Sequence, residues 1–487
     1  MFRGCKPDDM PPHIYSTAQT AYRALLSQRQ DQSVVLLGRS GSGKTTNARH
    51  LINYLVTAST AAAPPNANRA VTGQVLALTS ALPCPVEKLA AAWTLLEAFG
   101  NCRTVLNTNA TRFTSVFSLD FDQSGQAASG SIQVLMLERD RVVRRPEGEP
   151  SFHVFYQLLA GADPALRQRL QLDDGAATGG DGVGFVTPLQ RVEDRQRAAA
   201  AWARLLQAAA TLSVQPAETD AIWSVLAAIV HLGVAGVSKG PSDKYQFADP
   251  AAARRAAALL GVRLEDLARA IFASQSSGAA TLARSAYRTP PRAQEATQDL
   301  QGREALEAFV AGLYGDLVGV LVSLINRAIS SPAHTINSVV VVDAPGLQNP
   351  SSCGRPGGAT FDEFCFNYAQ ERLQLLFHEQ TFIHERDRYA QENIALNMSE
   401  LEGDVSTPAP LVHTLDRSPA TRLVRSSQTE LRNGDRRGLL WLLDEEALQP
   451  TPSDAGFLQN ALDMYSSRGE FCSATREVRL WYAYTDC

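Results

Sequence analysis

The chain has 487 residues, 45% of them hydrophobic and 20% charged, which supplies a sizeable core and excludes a globally disordered protein. A formal net charge of −5 and a pI of about 6.0 argue against a nucleic-acid coat or a polybasic membrane binder. Length alone suggests roughly three domains or one multi-lobed one. Seven scattered cysteines with no C-x-x-C pair point to reduced thiols in a cytosolic protein. The first residues contain no apolar run of the secretory kind.

In chain order, the spacing of apolar residues predicts a helix over 14–28 and a strand over 32–37, ending in a glycine-rich turn. A helix leaves that turn over 47–56. Residues 58–68 read as an Ala/Pro/Asn loop and 86–99 as a helix. Alternation over 116–137 around a Gly/Ser turn at 124–130 predicts two paired strands. Residues 173–184 form a glycine-rich loop, and 191–267 are Ala/Leu-rich and mostly helical. Residues 305–329 are the most membrane-like stretch, yet Glu307, Asp316, Asn326 and Arg327 interrupt it. Its apolar positions 306, 309, 310, 313, 317, 320, 321 and 324 have amphipathic spacing, which predicts a buried helix of a soluble protein. The β-branched run 338–342 reads as a buried parallel strand. A Gly/Ser loop at 351–359, a long helix from Phe361 to about Glu392 and a flexible Ser/Thr/Pro/Arg-rich insertion at 404–437 follow. There is no fixed repeat and no sustained heptad, so no coiled-coil dimer is expected. Strands alternating with helices give an α/β fold with a mostly parallel central sheet and large helical additions.

Gly38-Arg39-Ser40-Gly41-Ser42-Gly43-Lys44-Thr45 satisfies G-x-x-x-x-G-K-[ST] between a strand and a helix. The glycines let backbone N–H groups point inward at a phosphate, and the helix N-terminus adds its dipole. In such a P-loop NTPase core, Lys44 meets the β- and γ-phosphates and the Thr45 hydroxyl binds Mg²⁺. A second element, Val339-Val340-Val341-Val342-Asp343-Ala344-Pro345-Gly346, has the form of a strand that ends on a Mg²⁺-shell aspartate. There the Gly346 N–H can meet the γ-phosphate. ATP or ADP with Mg²⁺ is the expected ligand. Asp-x-Pro-Gly also occurs in GTP-binding proteins, but none of the five lysines lies in an Asn-Lys-x-Asp motif, and about 300 residues separate the two elements.

The third element is Leu96-Glu97-Ala98-Phe99-Gly100-Asn101-Cys102-Arg103-Thr104-Val105-Leu106-Asn107-Thr108-Asn109-Ala110-Thr111-Arg112-Phe113. It resembles the passage into switch I of the myosin motor head. Pro11-Pro12-His13-Ile14-Tyr15, Phe152-His153-Val154-Phe155-Tyr156-Gln157-Leu158-Leu159-Ala160-Gly161 and the relay-like Asn367-Tyr368-Ala369-Gln370-Glu371-Arg372-Leu373-Gln374 are similar to myosin segments in register. So is the stretch 438–450. Within that family the phosphate loop and the second element resemble class eighteen, its b form in particular. The resemblance spans residues 1 to about 465.

The resemblance implies that Gly38, Gly41, Ser42, Gly43, Lys44 and Thr45 cradle phosphates with Asn107 from switch I. It implies Thr45, Thr111 and Asp343 around Mg²⁺, and Arg112, Gly346 and Gln348 at the hydrolytic end. It also divides the chain into a motor core over 1–350, with an upper helical subdomain at about 185–335, and a relay region over 351–403. The basic insertion 404–437, a return segment 438–465 and a divergent tail 466–487 complete it. It places the adenine-contacting loop ahead of Met1, and most of the actin-facing lower domain, the converter, the lever helix and the tail elsewhere. By itself such a chain is not expected to move along actin.

Two departures bear on turnover. Active myosins pair the switch I arginine with a glutamate two residues after the switch II glycine. Gln348 stands there, and a neutral amide cannot form the charge-assisted pair. Ala110 replaces a serine near the attacking water. Pro345 lacks an N–H and pushes Ala344 toward extended backbone. Phosphoryl transfer depends on positioning, so these losses should cost on the order of 10³-fold or more in rate. The expected function is a degenerate P-loop ATPase head, weak or inactive, that serves as an actin-cytoskeleton tether or scaffold in the cytoplasm. An actin-activated motor and an interaction module with an empty pocket are the alternatives. His378-Glu379 and His384-Glu385 lack the second histidine of a zinc-protease motif. The arginines at 417, 422, 425, 432, 436 and 437 read as a solvated insertion, with no nucleic-acid and no membrane partner expected.

Overall fold

In the computed structural model, the described residues are 11–60, 85–172, 184–187, 189–240, 244–272, 291–349, 359–394, 409–416, 438–449, 453–465, 471–473 and 480–482. The chain divides into two units, one of residues 1–281 and 287–346, the other of 282–286 and 347–487.

In the first unit, α1 (Ile14–Gln28) leads into β1 (Gln32–Leu36), a glycine turn and α2 (Lys44–Thr60). α3 (Val86–Gly100) continues into the short pair β2 (Asn101–Cys102) and β3 (Ala110–Thr111), then into β4 (Thr114–Phe121) and β5 (Ala127–Leu135). The helices α4 (His153–Gly161), α5 (Pro164–Arg169), α6 (Val192–Thr211) and α7 (Pro216–Ala235) follow. Next come the hairpin β6 (Val237–Lys239) and β7 (Tyr245–Phe247), α8 (Pro250–Leu259), α9 (Leu264–Phe272), the 39-residue α10 (Pro291–Ile329) and β8 (Asn337–Asp343).

The central sheet runs β1-β8-β4-β5. β8 pairs parallel to β1 and antiparallel to β4, and β4 pairs antiparallel to β5. The sheet is therefore mixed, which corrects the expectation of a mostly parallel one. The physical reason is the tight turn after Phe121, which can only return the chain antiparallel. Gly125 sits in that turn at φ +78°, where Tyr22 of α1 donates to its carbonyl at 2.6 Å. The valine run is central, as its composition implies. It buries Val339, Val341 and Asp343 on alternate positions.

The core beneath the sheet is aromatic and aliphatic, with Phe99, Phe117, Phe121, Phe152, Phe155 and Tyr314 almost fully buried. Tyr314 stacks on Phe152 at 5.0 Å and donates to the Phe99 carbonyl at 2.6 Å, which fixes α10 against α3. α10 buries Leu306, Val310, Leu317, Leu321 and Ile325, as the amphipathic spacing requires, whereas Val320 is 53% exposed. Among the described residues, α7 and the part of α10 from Gly302 are long and apolar enough to cross a membrane, and both are partly buried in this unit. The hairpin β6–β7 breaks the stretch expected to be mostly helical.

In the second unit, α11 (Phe361–His378) starts from a capping box between Thr360 and Glu363. The long helix expected from Phe361 is interrupted by a π turn at Glu379–Ile383 and resumes as α12 (His384–Gln391). α13 (Ala409–Asp416) lies inside the segment expected to be a flexible insertion. Its Asp416 accepts from Tyr368 at 2.9 Å and pairs with Arg372 at 3.0 Å. α14 (Leu439–Ala447) and α15 (Asp454–Tyr465) close a small core of Leu415, Leu439, Leu442, Ala461 and Tyr465. β9 (Phe471–Ser473) and β10 (Leu480–Tyr482) pair antiparallel within the stretch read as a divergent tail. Most of the loops expected at 58–68, 173–184 and 351–359, and the insertion outside α13, lie outside the described residues.

Candidate functional site

The strand register builds the site. Leu36 stands beside Asp343 in the parallel pair, so the turn that leaves β1 and the end of β8 emerge on the same edge of the sheet. That edge, at the carboxyl ends of parallel strands, is where α/β sheets bind ligands. On its other side Ser115 of β4 faces Asp343, which brings the β2–β3 loop alongside.

Ser40, Gly41, residues 43–46, Asn101, Asn107, Asn109, Thr111 and 344–346 enclose a cavity of about 240 Å³, with Arg49 at its wall, whereas the expected Gly38 and Ser42 do not line it. The phosphate loop has the backbone its motif predicts, with Gly38, Gly41 and Gly43 all at positive φ. Lys44 is 8% exposed and donates to the carbonyls of Gly38 at 3.0 Å and Arg39 at 2.9 Å. Burial pulls its ammonium below the usual value, and the Asp343 carboxylate opposes that shift. A phosphate would have to take over both hydrogen bonds.

Thr45 donates to Asp343 Oδ2 at 2.6 Å and lies 3.4 Å from the Thr111 hydroxyl. Asp343 Oδ1 is buried with no hydrogen-bond partner. Burial raises the Asp343 carboxyl above its ordinary value of 3.8, while the Thr45 hydrogen bond and Lys44 pull it back. Two hydroxyls and a carboxylate with an unsatisfied buried oxygen are a hard-oxygen donor set that fits Mg²⁺. The described residues contain no cluster of three His, Cys, Asp or Glu side chains able to hold a metal, which leaves this mixed set as the candidate.

The β2–β3 loop is held by its own polar side chains and by Glu97 of α3. Asn109 N–H donates to Asn107 Oδ1 at 3.0 Å, Asn107 N–H to Thr104 Oγ1 at 3.2 Å and Asn109 Nδ2 to Glu97 at 2.8 Å. Asn107 lines the cavity, and with its Oδ1 engaged it has amide N–H donors to offer a ligand. Gly346 closes the far wall. A Cβ there would fall 2.3 Å from Ser40 N and 2.5 Å from Lys44 Nζ, so nothing but glycine fits.

Arg112 is fully buried, and its Nε donates to Glu138 at 2.5 Å. Arg141 donates to the same carboxylate at 2.6 Å and pairs with Glu149 at 2.8 Å. Burial alone would raise the Glu138 carboxyl, but the two guanidinium groups hold it below the usual range. Gln348 belongs to the second unit, where Asn367 clamps its backbone. Gln348 N–H donates to Asn367 Oδ1 at 2.9 Å, and Asn367 Nδ2 donates to its carbonyl at 2.8 Å.

The structure thus brings together Gly41, Gly43, Lys44, Thr45, Asn107, Thr111, Asp343 and Gly346. Sequence reasoning missed Arg49, Asn101, Asn109 and Glu138. Arg49 follows Thr45 by four positions and so shares its helix face, a legible signal. Glu138 gave none, because only the β4–β5 hairpin returns it to Arg112.

Residues 1–480 match the family described as Myosin head (motor domain). The chain is 44% identical over 471 residues to unconventional myosin-XVIIIa of Mus musculus, covering 96% of this chain and 22% of that protein. It is 38% identical over 481 residues to unconventional myosin-XVIIIb of Homo sapiens, covering 97% and 17%. It is 30% identical over 478 residues to Myosin-14 of Mus musculus, covering 97% and 22%. The likeness to class eighteen holds, with higher identity to the a-type relative than to the b-type one. The chain spans about a fifth of the length of these relatives.

Proposed function

Because the chain belongs to the myosin head (motor domain) family, we propose that it binds Mg·ADP or Mg·ATP with little or no turnover. In its full-length context it serves as a cytoplasmic tether or scaffold on the actin cytoskeleton. The observation that carries the binding half is the buried Asp343 Oδ1, left without a partner beside the Thr45 and Thr111 hydroxyls. Bound Mg²⁺ would supply charge neutralisation for the β- and γ-phosphates. The chain's own groups do the rest. Lys44 trades its two loop carbonyls for phosphate oxygens, Asn107 adds amide N–H donors, and the backbone of 41–45 supplies the cradle.

Three features support low turnover. Arg112 already has a carboxylate partner in Glu138. Gln348 has no charge to offer it, and Ala110, 2% exposed, brings no hydroxyl to the site. Losing two positioning groups costs several kcal/mol of transition-state stabilisation, on the order of 10³-fold in rate.

The test is calorimetry of Mg·ADP and Mg·ATP on the chain, with phosphate release followed in parallel. Binding without release above background is expected, and Gln348→Glu combined with Ala110→Ser should raise release. Turnover by the wild-type chain at rates usual for such motors would overturn the low-turnover half. Absence of binding heat for both nucleotides would leave the empty-pocket interaction module.

A further inference from the structure

The first unit contains a second and larger cleft of about 1460 Å³, which Arg103 of the β2–β3 loop helps to line. We propose that this cleft seats an acidic peptide segment of a partner and that its occupancy is felt at switch I.

The argument begins with charge. Among the described residues, three carboxylates line the cleft, namely Glu147, Glu149 and Asp194. Glu149 is taken by Arg141 at 2.8 Å and Asp194 by Arg197 at 3.4 Å. Of the lining cations, Arg144 and Arg303 are spent on Glu307. Arg145 donates to the Glu149 carbonyl at 3.0 Å and the Thr187 hydroxyl at 3.4 Å, both uncharged acceptors, so its charge stays uncompensated. Arg103 and Arg191 also line the cleft, and among the described lining residues only Glu147 is left to balance the three guanidiniums. This local excess stands against a chain whose net charge is −5.

The polar focus is Tyr156, only 7% exposed. Its oxygen accepts from Ser151 N–H at 3.0 Å, and no acceptor for its own proton lies among the described residues. Arg145 and Arg103 are close enough for both to oppose the upward shift that burial gives this phenol. Two guanidinium forks and a buried O–H donor form an anion seat, and guanidiniums match carboxylates in geometry. Size selects the occupant. Small-molecule pockets occupy about 300–1,000 Å³, and this cleft exceeds that range. Its walls also carry Phe185, Val234 and Val237 beside the arginines, which suits an extended peptide with acidic and apolar side chains.

The link to switch I is covalent and electrostatic. Arg103 is the first residue of the loop that carries Asn107 and Asn109. Two residues on, Val105 N–H donates to Glu149 Oε1 at 3.3 Å. Glu149, Arg141, Glu138 and Arg112 then form a buried chain of ion pairs. A ligand that draws Arg103 into the cleft therefore biases the loop that presents Asn107. This coupling rests on the nucleotide reading above; the docking does not.

The test uses the whole chain and a fluorescein-labelled hexaglutamate peptide, followed by fluorescence anisotropy, with labelled hexalysine as the control. Arg103→Glu and Arg145→Glu are expected to weaken binding of the acidic peptide by about tenfold or more, and Tyr156→Phe by a few-fold. Arg191→Glu, at an exposed site, decides the matter where a buried variant loses its fold, and should also weaken binding. Lys44→Ala should leave peptide binding unchanged. Equal affinity in wild type and the arginine variants, no binding by wild type, or loss of binding in Lys44→Ala would each overturn the proposal. Adding the peptide should shift Mg·ADP affinity at least twofold in wild type but not in Arg103→Glu. An unshifted affinity overturns the coupling, whereas absence of any Mg·ADP binding overturns the nucleotide reading and leaves the docking result standing.

Discussion

Asp343 is held under two opposing demands. Its burial disfavours the charge, yet the neighbouring hydroxyls suit a cation only if the carboxylate is ionised. A carboxyl whose folded pKa lies above 3.8 costs stability at every pH above that value, because the unfolded chain ionises it more easily. Asp343→Asn should therefore make the nucleotide-free protein more stable at pH 7, and the gain should close as pH falls toward 3.8. The same variant should lose the Mg²⁺-dependent part of any thermal shift. Melting curves of the two proteins from pH 4 to 8, with and without Mg·ADP, check both statements. Glu138 gives the converse case. Glu138→Ala strips the carboxylate from between two buried guanidiniums, and breaking a buried pair costs about 3–5 kcal/mol. The denaturant midpoint should fall accordingly. Glu138→Gln should recover part of the loss through its amide oxygen. Gly346→Ala forces a Cβ to 2.3 Å from a backbone nitrogen, so the phosphate loop or residues 343–346 must shift. Nucleotide affinity should fall by an order of magnitude or more, read by calorimetry.

At the scale of elements, α10 carries the first unit. One face packs Val310, Tyr314, Leu321 and Ile325 into the core, and the opposite face is wet at Val320. Ile325→Ala should cost about 2–5 kcal/mol. Val320→Lys should stay within about 0.5 kcal/mol, since Val320 is more than half exposed. Chemical denaturation of the two variants separates a core helix from a lipid-facing one, which would tolerate neither change in the same way. β8 does the equivalent for the site. Its valines anchor the strand between β1 and β4, and that anchoring alone sets where Asp343 emerges.

For the whole molecule, the two units differ in how much core they own. The first has a continuous cluster running through α1–α10 and the sheet, while the described cluster of the second has five buried residues around α13–α15, with Phe366 and Val412 buried besides. Regions with few buried apolar contacts open at lower free energy. Native-state hydrogen exchange should therefore show amides of α14 and α15 exchanging well before those of β4 and β8. Similar protection in both units would mean that the second draws stability from elsewhere.

Much of the fold was legible in one dimension because its signals are local. The helix at 14–28, the paired strands about Gly125, the valine strand and the phosphate loop depend on side-chain period and glycine placement, and each formed where its pattern lies. The likeness to the myosin head was equally local, carried by contiguous motifs. Tertiary structure alone decided what depends on residues distant in sequence. Strand direction in the sheet follows from pairing, which no strand's own composition encodes, so a parallel reading gave way to a mixed one. The pairing of Arg112 with Glu138, the meeting of Thr45 with Asp343 298 positions away and the arginine-lined cleft around Tyr156 all arise from chain return. A sequence names the charges; only the packed backbone sets the distance across which each one acts.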